Sequence, residues 1–122
     1  KFINASEDEE LVFWGTGRPL RQHLYVHDLA EIIIILLEKH NNDLPLIVAP
    51  SENFSILEHI NIMKKITNKN IKIKFNGKLD GQFRKDGSNT ELIKLIGKYN
   101  FTKLQDGLAK TYKWYLDRQK YN

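Results

Sequence analysis

Cysteine is absent from the 122 residues, so the chain has no disulfide staple, no zinc–thiolate site and no thiol nucleophile. Long apolar runs are missing too. Ile32–Leu37 extends to six residues, far short of the ~20 that a membrane-spanning helix needs. Arginine is scarce, at Arg18, Arg21, Arg84 and Arg118 only. The net charge of +4 rests mostly on lysines scattered among acidic neighbours, whereas a nucleic-acid face gathers its cations. The densest patch, Lys64, Lys65, Lys69, Lys72 and Lys74, reads as a solvated face. The start, Lys1 to Ser6, has no apolar signal-peptide region and runs into Asp8, Glu9 and Glu10. It also lacks an initiator methionine, so a processed chain, or one cut from something longer, is expected. What is present is 41% hydrophobic and 11% aromatic residues, too much for disorder at this length. A single soluble, intracellular domain over residues 1–122 is the expectation.

The hydrophobic pattern alternates strand-like and helix-like stretches, which predicts an α/β domain. Phe2–Ala5 reads as the tail of a helix. Leu11–Trp14 reads as a strand, Gly15–Pro19 as a turn and Gln22–Val26 as a second strand. Asp28 sits where the N-cap of a helix belongs. That helix, Leu29–His40, is apolar almost all round and should be buried on more than one side. A third strand is expected within Leu44–Ala49, starting after Pro45. Ser55 and Glu58 form a capping box before Ile56, Ile60, Met63 and Ile66 at helical spacing. Ile71–Phe75 alternates as a strand, and Asn76–Ser88 is a polar, glycine-rich loop. Ser88 and Glu91 suggest a second capping box before a helix that Gly97 closes. Thr102 and Gln105 open a last helix with Leu104, Leu108, Ala109, Tyr112 and Tyr115 on one face.

Few residues offer chemistry. Gly15 and Gly17 follow a strand, but the third glycine of a dinucleotide turn is replaced by Leu20, and Pro19 precedes another strand rather than a helix. His23, His27, His40 and His59 have no carboxylates clustered with them, so no metal site is expected. Tyr99 and Lys103 have a Tyr-x-x-x-Lys spacing that straddles the start of the last helix and reads as chance. No catalytic constellation is complete within this chain. Two segments remain unusual. Trp14 stands beside a glycine-rich loop with Arg18 and Arg21, residues able to stack a ring and to fork onto phosphate oxygens; a half-buried tryptophan with surface arginines is the plainer alternative. The loop Leu79–Gly87 carries the adjacent cations Arg84 and Lys85, which could meet an anion or simply mark a solvated turn.

Together these segments resemble one family. Trp14-Gly-Thr-Gly-Arg-Pro-Leu-Arg21-Gln-His-Leu-Tyr-Val-His-Asp28-Leu-Ala30 is similar to the strand–loop–strand–helix segment of GDP-L-fucose synthases, NADPH-dependent 3,5-epimerase-4-reductases acting on GDP-4-keto-6-deoxy-mannose. Asp80-Gly-Gln-Phe-Arg-Lys85 looks like the Asp-Gly-x-x-x-Lys loop of the same family, and Phe101 to Tyr115 is similar to its closing segment. The glycine–arginine–aspartate part is shared with many extended short-chain dehydrogenases acting on nucleotide sugars; Trp14 and the Asp80–Lys85 loop narrow it to this branch. Relatives commonly carry an aspartate where Asn76 stands and an aromatic residue where His23 stands. The resemblance implies the small C-terminal substrate-binding lobe of an extended short-chain dehydrogenase/reductase, without its Rossmann half. It carries nucleotide-sugar contacts onto Trp14, Arg21, Asp80 and Lys85. Arg21 and Lys85 would neutralise the diphosphate, Trp14 would stack, and Asp80 would accept a hydrogen bond. It further implies that NADP(H) and the catalytic residues belong to a Rossmann domain upstream, that the whole enzyme is a cytoplasmic homodimer, and that this piece is inactive alone and open to being a monomer. The alternatives left open are the lobe of another nucleotide-sugar epimerase or dehydratase, and a stand-alone nucleotide-binding module.

Overall fold

The computed structural model describes residues 1–119. Its elements are β1 (Glu10–Phe13), β2 (Leu20–Arg21), α1 (Val26–Lys39), β3 (Phe54–Ser55), α2 (Ile56–Thr67), β4 (Lys72–Phe75), β5 (Arg84–Lys85), α3 (Thr90–Ile96) and α4 (Leu104–Gln119). The mixed α/β character follows the sequence pattern. β1 and β4 pair in parallel with Glu10 opposite Lys72 and Phe13 opposite Phe75. β2 is the middle strand of a second small sheet, antiparallel to β3 and parallel to β5.

The core lies where α2 meets β1 and β4. Leu11, Ile60 and Ile71 are buried there with Phe2 and Ala5, and Phe13, Ile56, Met63, Ile73 and Phe75 pack around them. These are the inward positions of an alternating strand and the one-turn repeats of an amphipathic helix. α2 starts where its capping box predicts: the Glu58 N–H donates to Ser55 Oγ at 3.1 Å, and the Ser55 N–H donates to Glu58 Oε2 at 2.6 Å. The hydrogen bonds from Ser55 hold the Glu58 carboxyl below its usual range. A second buried contact joins α1 to α3, with Ile32 and Leu92 both fully buried.

The structure corrects several local expectations. Residues 2–4 form a turn, not the end of a helix. Lys69 is not part of a solvated face: its ammonium donates to the carbonyls of Phe2, Ile3 and Ala5. Strand β2 is Leu20–Arg21, and residues 22–25 are irregular. Asp28 lies inside the first turn of α1 rather than capping it, and Thr102 does not cap α4. Instead Asp28 accepts both the Thr102 N–H and hydroxyl at 2.7 Å, tying α1 to the approach of α4. Asn89, not Ser88, precedes α3, and Glu91 pairs with Lys94 at 2.8 Å instead of closing a capping box. The α4 face is half-buried as far as Tyr112, but Tyr115 is exposed. Residues 44–50 form no strand, because no strand lies beside them to share a ladder among the described residues. Helix α1 is covered on one side only, with Ile33 48%, Ile34 65% and Leu37 80% exposed. None of the described helices is long and apolar enough to cross a membrane.

Candidate functional site

The two unusual segments, 14–21 and 79–85, lie against each other along their length. At one end Trp14 leaves β1 and is 64% exposed. Its indole N–H donates to the Leu79 carbonyl at 3.0 Å, and the Lys78 ammonium sits 4.7 Å from the ring centroid. The indole donor is therefore satisfied by backbone, and the ring offers an apolar surface with a cation beside it. Lys78 did not stand out in the sequence; its place in a charged loop two residues before Asp80 is the signal that could have singled it out.

Next to Trp14 the chain turns tightly. Gly15 and Gly17 both have φ +78°, a conformation that side-chain-bearing residues rarely adopt. A Cβ on Gly15 would lie 2.1 Å from Asp80 Oδ1, and one on Gly17 would lie 2.4 Å from the Phe75 ring. That close approach lets Asp80 bind Thr16 twice, accepting the N–H at 2.8 Å and the hydroxyl at 2.5 Å. These bonds, with Arg18 nearby, hold the Asp80 carboxyl below its usual range. Asn76 Oδ1 accepts the Gly15 and Lys78 N–H groups. Both are acceptor tasks that a carboxylate performs equally well, so asparagine there keeps the loop's geometry.

At the other end, Arg21 and Lys85 are register partners on parallel strands β2 and β5, which sets the two residues side by side on one face. The ladder is extended by the Leu20 N–H donating to the Phe83 carbonyl at 2.8 Å. Arg21 is half-buried, and its guanidinium Nη1 donates to the Leu20 carbonyl at 2.6 Å. Arg84 is neutralised by Asp86 at 2.8 Å. Among the described residues no carboxylate pairs with Arg21 or Lys85, which leaves two adjacent cations able to take an anion.

Other candidates resolve into structural roles. The turn at Gly15–Gly17 leads into β2, not into a helix N-terminus, so it does not fit a dinucleotide pyrophosphate. Tyr99 donates its hydroxyl to Glu31 Oε2 at 2.7 Å, and burial plus that bond push its pKa up, the wrong direction for an acid–base tyrosine. The His23 ring packs against His59 with centroids 4.1 Å apart and planes tilted by 58°, while His59 Nδ1 donates to the Ser55 carbonyl at 2.8 Å and its Nε2 is buried without a partner among the described residues. Burial, with His59 and Arg21 nearby, lowers the His23 pKa.

Comparison with known proteins shows what the chain as a whole is similar to. Residues 1–49 match the NAD dependent epimerase/dehydratase family. GDP-L-fucose synthase of Dictyostelium discoideum is 30% identical over 95% of this chain and 37% of its own length. GDP-L-fucose synthase 1 of Arabidopsis thaliana is 35% identical over 88% of this chain and 33% of its own. This chain is a relative of the GDP-L-fucose synthases. The backbone agrees: a crystallised GDP-L-fucose synthetase from Naegleria fowleri bound to NADP superposes with a TM-score of 0.85 at 28% identity, over 91% of this chain and 36% of that one. The chain spans about a third of the length of the relatives it matches.

Proposed function

We propose that this chain, residues 1–122, is the substrate-binding lobe of an NADPH-dependent GDP-L-fucose synthase. In this reading it binds GDP-4-keto-6-deoxy-mannose for epimerisation at the two carbons flanking the ketone and for reduction of that ketone. What carries the reading is the pair Arg21 and Lys85, register partners with no carboxylate among the described residues to neutralise them. They neutralise the diphosphate, with Arg21 donating in the planar, two-pronged geometry that phosphate oxygens favour. Trp14 stacks against a ring of the ligand. Asp80, kept ionised by Thr16 and with acceptor capacity left on both oxygens, takes a hydrogen bond from a hydroxyl or amine. The lobe acts by positioning, which alone is worth several powers of ten in rate.

NADP(H) and the groups that move protons belong to the remaining two thirds of such an enzyme, a Rossmann domain against which the bare face of α1 packs. The chain by itself is inactive, and the whole protein is a cytoplasmic homodimer. The test is Arg21→Ala in the full-length protein. KM for the GDP-keto-sugar rises at least tenfold with kcat changed less, as expected for loss of a charge-assisted contact; an unchanged KM overturns the assignment. Competition by GDP, UDP and dTDP separates this enzyme from relatives acting on other nucleotide sugars.

A further inference from the structure

Strand β5 is two residues long, and both of them are exposed. A pairing that short does not hold itself in place, yet the register of Lys85 against Arg21 depends on it. The support comes from Gln22, the residue after Arg21. Its side-chain N–H group donates to the Gly87 carbonyl at 3.0 Å and to the Pro50 carbonyl at 2.7 Å, and its Oε1 accepts the Gly87 N–H at 2.8 Å. The two bonds to Gly87 close an amide–amide pair of the kind a backbone ladder makes. The side chain thus adds a rung just beyond the Arg21–Lys85 pair. Ile47 closes the other side of Gly87, where an added Cβ would lie 2.8 Å from Ile47 Cγ2.

We infer that Gln22 is a positioning residue for anion binding: by clamping Gly87 to Pro50 it holds Lys85 beside Arg21, so that the two cations act as one diphosphate site. The inference rests on the reading of Arg21 and Lys85 as diphosphate ligands. Gln22 itself touches no ligand. Its effect is to spare the loop the entropy of being ordered when the anion arrives.

The test is calorimetric titration of the full-length protein with GDP and, separately, with guanosine. Gln22→Met keeps the length of the side chain and removes all three hydrogen bonds. GDP affinity is expected to fall about tenfold while guanosine affinity stays, because only the diphosphate meets the cations. Amide exchange should quicken at residues 84–87 and not in β1 or β4. Gly87→Ala, which presses the same loop from the Ile47 side, should lower GDP affinity in the same direction. The role is overturned if GDP binds Gln22→Met as it binds the parent while Arg21→Ala weakens it, or if GDP and guanosine weaken equally. Should Gln22→Met fail to fold, unchanged GDP affinity in Gly87→Ala overturns it. If GDP binds Arg21→Ala and Lys85→Ala as tightly as the parent, the diphosphate reading itself falls and takes this role with it.

Discussion

Two glycines shape the turn beside Trp14, and each is required for a reason that can be measured. Gly15 at φ +78° approaches Asp80 so closely that a Cβ would lie 2.1 Å from its oxygen. Gly15→Ala therefore combines backbone strain with the loss of the Asp80–Thr16 bonds and should cost about 1–3 kcal/mol in urea unfolding. Gly77, also at positive φ but with open space around it, should cost less when replaced by alanine. The comparison of the two separates crowding from strain. Trp14, Arg21 and Lys85 stood out in the sequence, because an aromatic residue, cations and glycine turns are unusual together; Asp80 was singled out only by the family resemblance. Gln22 and Lys78 did not stand out. A carboxamide or an ammonium in a polar loop carries no signal until its partners are known.

Among the elements, the most informative contact is the one between α1 and the approach to α4. Asp28 and Thr102 each carry the chemistry of a helix cap, and the structure uses both for a bond between elements. Asp28→Ala leaves two donors of Thr102 without their acceptor in a half-buried place, at a cost of about 3 kcal/mol, read as a lower midpoint in urea. Thr102→Val should cost less, since it keeps the backbone donor. The ring contact between His23 and His59 ties the loop after β2 to α2. Because the folded state lowers the His23 pKa below 6.5, the unfolded chain binds the proton more readily. Stability is then full above pH 6.5 and is lost as pH falls through the depressed value. Melting temperature should drop between pH 7 and pH 5, and His23→Phe should flatten that slope.

At the scale of the whole molecule, the apolar face of α1 is the feature the described residues leave unresolved by packing. Ile33, Ile34 and Leu37 stand open on a chain that spans about a third of its relatives' length. If the Rossmann domain proposed above covers that face, Ile34→Lys and Leu37→Lys should behave differently in two contexts. In this chain alone they should change stability by no more than about 0.5 kcal/mol. In the full-length protein they should lower the melting temperature by several degrees, each buried side chain being worth about 2 kcal/mol. Equal behaviour in both contexts would mean that the face stays in solvent.

Resemblance to a family supplied the set of four binding-site candidates; the amino-acid sequence by itself determined the class of fold, the α2 capping box and the alternation that buries Leu11 and Ile71. Each of these depends on neighbours a few positions away, where propensity and periodicity act. Tertiary structure decided the rest. The stretch 44–50 has the composition of a strand, but strands exist only in pairs, and none of the described strands pairs with it. Which caps become bridges, which lysine is half-buried under a turn, and that Arg21 meets Lys85 are set by residues more than sixty positions apart. Local chemistry names such groups, and only the folded chain chooses their partners.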